Sequence, residues 1–155
     1  MATLGKIYDQ DKQKAQEFAS LVGWIIAKEL GGCDIDFSFT PVLDVNYGSS
    51  SVIGDRAFHE QLSPVIKLAN NLRQGLEDGG MQAIGKHFPG HGFIKEDTHL
   101  ERGEDKRKFL DILKKTETLK IYDKNIDDHS TIYSFSNLIR WNHVGAKVQP
   151  FHLRS

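Results

Sequence analysis

The run from Lys86 to Gly92 (KHFPGHG), near the middle of the chain, brings together side chains that bind ligands or carry protons. It contains a lysine and two histidines, and Pro89 with the two glycines makes a regular helix unfavourable. Asp97 and His99 follow two residues apart, so in an extended backbone they point to the same side. A carboxylate that accepts from one imidazole nitrogen fixes the tautomer and raises the basicity of the ring. The pair therefore has the composition of a proton-transfer dyad.

Other chemistries are open to the same residues. His87, His91, Asp97 and His99 are all metal-ligand types. Their spacing matches no helical H-x-x-x-H pair, and a neighbouring lysine and arginine would repel a cation, so we predict no metal site. A phosphate site would use the glycines and Lys86, but the G-x-x-x-x-G-K-[ST] loop is absent from the run. A D-x-H sequence in a loop is most often a solvated turn, so these residues alone do not decide the chemistry.

The residues before this run predict the elements that position it. Apolar residues over 9–30 recur at intervals of three and four, which predicts an amphipathic helix with a left-handed stop at Gly31–Gly32. Residues 35–45 begin in strict alternation and predict a strand that ends near Asp44, with a bulge or bend at Pro41. A second helix is predicted with Ser63 as its N-cap, Pro64 at its first position and a stop at Gly79–Gly80.

A short strand is then predicted over residues 81–85, which delivers Lys86 and His87 at its carboxyl end. Strand, helix and strand with a crossover of this length form a right-handed parallel unit. In such folds the working groups gather at the carboxyl ends of the strands. We therefore expect Asp44 to lie at the same edge as Lys86 and His87.

The second half of the chain is less regular. Residues 88–103 lack periodicity and predict a long loop, and a charged third helix is predicted over roughly Glu104–Lys120. After Ile121 the pattern weakens, with a short extended piece as the one predicted element. Two clear strands are too few to close a barrel or a comfortable sheet. The sequence therefore predicts an α/β chain that forms part of a larger fold.

Length and composition narrow the class of protein. The chain has 155 residues, 39% of them hydrophobic and 26% charged, as in a globular domain. A net charge of −1 gives no electrostatic footprint for nucleic acid or an anionic membrane. The single cysteine, Cys33, excludes an internal disulfide framework and fits a reducing compartment. The charged N-terminus lacks an apolar signal core, and no apolar run approaches the ~20 residues of a spanning helix. We expect a cytoplasmic protein that binds neither nucleic acid nor membrane.

Two runs resemble the bacterial cytoplasmic β-N-acetylhexosaminidases of glycoside hydrolase family 3: DIDFSFTPVLDVNYGSSSVIGDRAFHE and GGMQAIGKHFPGHGFIKEDTHLE. The resemblance covers about residues 4–101 and keeps several motifs in the family order. It implies a (β/α)8 barrel domain, truncated at both ends here, and no cofactor. It also implies hydrolysis of terminal non-reducing β-linked N-acetylglucosamine with retention, on muropeptides of peptidoglycan recycling or chitobiose-like substrates.

The same resemblance implies roles for five residues. Arg56 of the GDRAF motif, with Lys86 and His87, would hold the sugar through its hydroxyl and acetamido oxygens. His99 would be the general acid/base, oriented by Asp97, in place of the second carboxylate that most retaining glycosidases use. Imidazole titrates near neutrality, so it can protonate the leaving oxygen and then activate water.

The sequence also departs from the family pattern. The family nucleophile, an Asp in a segment such as FSDDL, and the M-P-A-H strand have no counterpart in it. Retaining chemistry needs a carboxylate on the opposite face of the sugar. We expect a partial barrel domain over residues 1–139, a divergent tail over residues 140–155, and weak or no hydrolysis by this chain alone. The alternative is a chain that binds N-acetylglucosamine without cutting it, or an inactive fragment. The sequence leaves the oligomeric state open.

Overall fold

Helices packed against parallel strands make up the described part of the chain. A computed structural model describes residues 1–88, 90–97, 103–105, 132–135 and 139–141. Its helices are α1 (Ala2–Gln10), α2 (Lys12–Gly31) and α3 (Leu62–Asp78), with a 3-10 turn over Gly54–Arg56. Its strands are β1 (Phe37–Ser38), β2 (Gln82–Phe88), β3 (Gly103–Asp105), β4 (Ile132–Phe135) and β5 (Ile139–Trp141). No helix in these segments has the length and apolar character needed to cross a membrane.

Every strand pair in the described residues is parallel. One sheet has the order β1–β2–β4, and β3 pairs with β5 in a second. The chain passes from β1 to β2 through α3, which is the predicted strand–helix–strand unit. The two carboxyl ends of β1 and β2 therefore meet at one edge of the sheet.

The predicted first helix is in fact two helices, because Asp11 interrupts it. Asp11 has φ −148° and ψ 101°, which ends α1, and its Oδ1 accepts from the backbone N–H of Lys14 at 3.0 Å as the N-cap of α2. The apolar periodicity runs through this position and conceals the break. α2 ends at Gly31, where the stop was predicted, but the predicted left-handed conformation is wrong: Gly32 is right-handed with φ −66°, and Asp34 has the positive φ of 60°.

The end of α3 is as predicted, but its start is not. Gln61, with φ −108° and ψ 146°, is the N-cap instead of Ser63, and it makes no side-chain cap hydrogen bond. Pro64 is then the third residue of the helix, where its missing N–H is harmless because the first four N–H groups have no partner within a helix. At the other end Gly80 has φ 89°, so the predicted glycine stop is confirmed.

Small residues let α2 and α3 approach closely. A Cβ on Gly23 of α2 would lie 2.1 Å from the carbonyl oxygen of Leu72, and one on Gly75 of α3 would lie 1.9 Å from that of Ser20. Both contacts are with backbone, which cannot turn aside. The core between the helices continues under the strands, where its members are Leu43, Val45, Met81 and Ala83. The helices thus support the strand ends that carry the polar residues discussed below.

In the second half of the chain, one predicted element is wrong and one is confirmed. The predicted third helix is wrong at its start, since Gly103–Asp105 is a strand, and residues 106–120 lie outside the described residues. The short extended piece expected after Ile121 is confirmed by Ile132–Phe135, which pairs with β2.

Candidate functional site

An extra residue redirects the first strand as it reaches the sheet edge. Ser38 pairs with Ala83, but the next bridge joins Val42 to Lys86, so one strand advances four residues while its neighbour advances three. The backbone N–H of Lys86 donates to the carbonyl oxygen of Pro41 at 3.0 Å and holds the irregularity in place. This is the bulge predicted at Pro41. Bulges at such positions re-aim the side chains that follow them.

The second strand, β2, also has an irregularity, which lies at Lys86 and His87. The pairing of β2 with β4 is regular to Gly85 and shifts in register before Phe88. The shift falls on Lys86 and His87, and their side chains enter different surroundings. Lys86 lines a cleft, whereas His87 turns to the carboxylate of Asp44.

Asp44 is a buried carboxylate that accepts hydrogen bonds from two backbone N–H groups and one imidazole nitrogen. Only 1% of its surface is exposed. Oδ2 accepts from Nδ1 of His87 at 2.6 Å and from the backbone N–H of His87 at 3.3 Å, and Oδ1 accepts from the backbone N–H of His91 at 2.5 Å. Such donors are needed because burying an uncompensated charge is strongly unfavourable. We refer to Asp44, His87 and His91 as the carboxylate cluster.

His91 completes the cluster as a buried neutral ring. Its centroid lies 5.6 Å from that of His87. Burial is the main cause that lowers the pKa of His91, and a positive charge on His87, when that ring is protonated, lowers it further. A hydrogen bond to its own backbone and the carboxylates of Asp44 and Asp97 act in the opposite direction but do not reverse the shift. The ring is therefore neutral at pH 7.

Gly92 lets the loop after the cluster lie directly on the segment after Asp44. A Cβ at this position would be 2.1 Å from the carbonyl oxygen of Val45. The hydroxyl of Ser49 donates to the carbonyl oxygens of Gly92, at 3.3 Å, and of Phe93, at 2.9 Å. The ring of Phe93 packs edge-on against Tyr47 with centroids 5.8 Å apart. These contacts hold Gly92 and Phe93 against residues 45–49, the segment that follows Asp44.

Arg56 and Lys86 line one open cleft of about 520 Å³ beside this cluster. The other lining residues are Met1, Phe39, Thr40, Val42, Ser51, Val52, Ile53 and Asp55. The guanidinium of Arg56 donates from Nη1 to the carbonyl oxygen of Val52 at 3.1 Å, and Nζ of Lys86 lies 5.7 Å from the ring centroid of Phe39. Burial lowers the pKa of Lys86, the positive charge of Arg56 lowers it further, and Asp44 partly offsets both. The cleft therefore holds two hydrogen-bond-donating cations, one of them partly desolvated.

The structure brings together most of the residues that the sequence singled out. Arg56 and Lys86 share the cleft, and His87 joins the neighbouring carboxylate cluster. Asp97 lies close enough to raise the pKa of His91. His99 lies outside the described residues, so the Asp97–His99 dyad stays a prediction.

One functional contact was missed from the sequence. Asp44 was expected at the edge of the sheet, but nothing in the sequence gave it His87 and His91 as partners. Its position at the end of an alternating strand was the available signal. Among the described residues, no group of three or more His, Cys, Asp or Glu side chains is arranged to hold a metal ion.

The sequence comparisons agree with this architecture. The profile of the Glycosyl hydrolase family 3 N terminal domain matches residues 3–153. A relative from Methylobacillus flagellatus named Beta-hexosaminidase is 54% identical over 109 residues, 70% of this chain and 31% of the relative. The Beta-hexosaminidase of Hydrogenovibrio crunogenus is 46% identical over 154 residues, 99% of this chain and 38% of the relative. The chain thus spans about a third of the length of these curated relatives.

A solved structure is similar over most of the chain. NagZ from Neisseria gonorrhoeae, in complex with N-trifluoroacetyl-D-glucosamine, matches with a TM-score of 0.80 and 38% identity, over 91% of this chain and 41% of that one. The predicted fold, a partial (β/α)8 barrel of parallel βα units, is confirmed. The profile match continues past residue 139 to residue 153, into the segment expected to be a divergent tail. The boundary at residue 139 stays a prediction.

Proposed function

Since this chain belongs to glycosyl hydrolase family 3 through its N-terminal domain, we propose that it forms the sugar-binding part of a β-N-acetylhexosaminidase site. The observation that carries the proposal is the convergence of Arg56 and Lys86 on one cleft beside the His87–Asp44 pair. Two curated relatives are named Beta-hexosaminidase, and the similar NagZ was solved with N-trifluoroacetyl-D-glucosamine. These names support terminal β-linked N-acetylglucosamine as the ligand.

The donors in the cleft suit the oxygens of such a sugar. A guanidinium offers five N–H groups in a rigid fork and an ammonium offers three, and neither accepts a hydrogen bond. Arg56 and Lys86 would therefore bind hydroxyl and acetamido oxygens. The exposed ring of Phe39 at the same cleft offers an apolar surface to the CH groups of the sugar.

Hydrolysis requires two further groups. In this proposal His99, oriented by Asp97, protonates the glycosidic oxygen as the bond to the anomeric carbon breaks, and it later removes a proton from the attacking water. A carboxylate on the opposite face must form the glycosyl–enzyme ester between these steps. No counterpart of the family nucleophile segment occurs in the 155 residues, so hydrolysis by this chain alone should be weak or absent. We place the activity in cytoplasmic muropeptide recycling as part of the same proposal.

Hydrolysis is tested with a chromogenic β-N-acetylglucosaminide. Purified wild type, His99→Ala and Lys67→Met are compared, because Lys67 is an exposed lysine of α3 away from the cleft. Turnover that disappears in His99→Ala and persists in Lys67→Met supports a complete site. Absence of turnover in all three proteins contradicts hydrolysis by this chain.

Sugar binding without hydrolysis is the second candidate function. It is favoured because the described structure places Arg56 and Lys86 in one cleft, with His87 next to Lys86 in β2, whereas the nucleophile segment has no counterpart. Calorimetric titration with N-acetylglucosamine should give saturable heat in the millimolar range. Lys86→Met should weaken this binding and Lys67→Met should leave it unchanged. An absence of heat in wild type would contradict both functions.

A further inference from the structure

The hydrogen bonds of Asp44 determine which nitrogen of His87 carries the proton. The Asp44 side chain is fully buried, and 16% of the His87 side chain is exposed. An ionised carboxylate only accepts hydrogen bonds, so the 2.6 Å contact from Nδ1 of His87 requires a proton on Nδ1. In the neutral ring the other nitrogen, Nε2, then has a lone pair. No described residue hydrogen-bonds Nε2.

A second histidine of the chain provides an internal contrast. His59 accepts from the backbone N–H of Gln61 at Nδ1, with a distance of 2.9 Å. Its Nε2 faces Asp9 at 3.1 Å and therefore carries the proton. His59 and His87 each pair with an aspartate, but the structure requires opposite tautomers. Asp9 is 62% exposed, whereas Asp44 is buried, so only the second pair is held by its surroundings.

The tautomer of His87 complements the chemistry of the cleft. Arg56 and Lys86 supply donors only, and a sugar hydroxyl both accepts and donates one hydrogen bond. The cleft also has side chains that can accept, on Thr40, Ser51 and Asp55. His87 follows Lys86 in the chain but is outside the lining of the cleft, so a neutral imidazole with its lone pair at Nε2 adds an acceptor next to the cleft. A buried sugar hydroxyl needs such an acceptor for its proton.

We propose that Asp44 is a positioning residue that holds His87 with Nδ1 protonated, so that Nε2 accepts a hydrogen bond from a hydroxyl of the bound sugar. The choice of ligand rests on the proposed function, but the tautomer does not. Asp44 acts through His87, because its own side chain is fully buried and does not touch the sugar. Its contact with the backbone of His91 holds the same loop in register.

The tautomers are measured first, without sugar. Two-dimensional long-range 1H–15N spectra at about pH 8.5, some two units above the ordinary pKa of histidine, distinguish the two neutral forms. We expect Nδ1–H for His87 and Nε2–H for His59 in the same spectrum. In Asp44→Asn, the amide oxygen at the Oδ1 position keeps the backbone N–H of His91, and the NH₂ group at the Oδ2 position faces Nδ1 of His87. This forces Nδ1 to accept and moves the proton to Nε2, while the 3.3 Å contact from the backbone N–H of His87 is lost. An Nε2–H tautomer of His87 in wild type would overturn the proposal.

Sugar binding is measured second. Asp44→Asn should bind N-acetylglucosamine about tenfold more weakly, the loss expected for one misdirected hydrogen bond. Asp9→Asn alters the other Asp–His pair and serves as the matched control, with unchanged binding expected. If Asp44→Asn binds the sugar as wild type does, a positioning role is excluded.

Two further outcomes separate this proposal from the proposed function. If wild type shows Nδ1–H but binds no sugar, the proposed function and the role of Nε2 toward sugar both fail, and the Asp44–His87 tautomer stands. If Asp44→Asn does not fold, the wild-type titration decides: the 15N resonance of His87 Nε2 must shift when N-acetylglucosamine binds, and binding without that shift overturns the proposal.

Discussion

The carboxylate cluster and the cationic cleft are adjacent, but they are built in opposite ways. In the cluster, Asp44 accepts three N–H groups within 3.3 Å, and both it and His91 are buried. In the cleft, Arg56 donates to a carbonyl oxygen within its own turn, and Nζ of Lys86 lies over an aromatic ring. The cluster therefore has its geometry before a ligand arrives, while the cleft keeps donors available for one. Rigid support beside accessible polar groups is what a binding site requires.

The largest effect, on stability, is expected from a substitution at Gly92, which disturbs the carboxylate cluster. In Gly92→Ala the new Cβ meets the backbone carbonyl of Val45 at 2.1 Å, so the loop must move and carry His91 away from Asp44. We expect a loss of about 1–3 kcal/mol in the free energy of unfolding, as for overpacked sites. Urea denaturation measures it. The control is Gly31→Ala, whose Cβ would meet nothing within 4 Å. Equal stability of the two variants would contradict the close approach.

The next largest effect is expected on affinity, at Arg56. Arg56→Met removes the guanidinium but, among the described residues, only one hydrogen bond, to the carbonyl oxygen of Val52. We expect binding of N-acetylglucosamine to weaken by about tenfold or more, as for the loss of a charged hydrogen bond. The melting temperature should change little. The affinity of Arg56→Lys should lie between those of wild type and Arg56→Met, because lysine keeps the positive charge but lacks the planar fork of N–H donors. A large fall in melting temperature with unchanged affinity would show that Arg56 stabilises the fold and does not bind the sugar.

A smaller effect, of opposite sign on stability, is expected at Lys86. Its pKa is lowered by burial and by Arg56, so the folded state holds the charged ammonium less favourably than the unfolded chain does. Lys86→Met should therefore raise the unfolding midpoint slightly while it weakens sugar binding. The unfolding midpoints of Lys86→Met and of the control Lys67→Met are compared by thermal unfolding. A midpoint below that of Lys67→Met would show that the ammonium stabilises the fold.

The smallest effect is the pH dependence that His91 adds. Because the folded-state pKa of His91 is lowered, the unfolded chain binds a proton here at a higher pH than the folded protein does. Its contribution to stability is complete above the ordinary histidine pKa of about 6.5 and is lost as the pH falls below that value. Urea midpoints at about pH 7.5 and pH 5.5 should differ more in wild type than in His91→Asn. An equal difference in the two proteins would contradict the burial of a neutral ring.

Several features of the fold followed from local chemistry in the sequence. Alternation and Pro41 predicted a bulged strand, and Gly79–Gly80 predicted the end of α3, because each depends on the backbone preferences of a few neighbouring residues. The break at Asp11 did not follow, since apolar periodicity is a property of a whole window and a single capping side chain does not disturb it. The predicted start of α3 was wrong for a similar reason, because a helix can begin after either Gln61 or Ser63.

The candidate site divides in the same way. The sequence by itself placed Lys86 and His87 at the carboxyl end of a strand and indicated that the chemistry is cationic and proton-carrying. The predicted end of that strand at residue 85 is wrong, since β2 continues to Phe88 and contains both residues. Only the tertiary structure decided that Asp44 receives its hydrogen bonds from residues 43 and 47 positions further along the chain. Hydrogen-bond partners so distant in sequence depend on the register of two bulged strands and on the packing of a loop, and no local pattern records either. The residue types set what the site can do, and the fold sets which atom of each residue is left to do it.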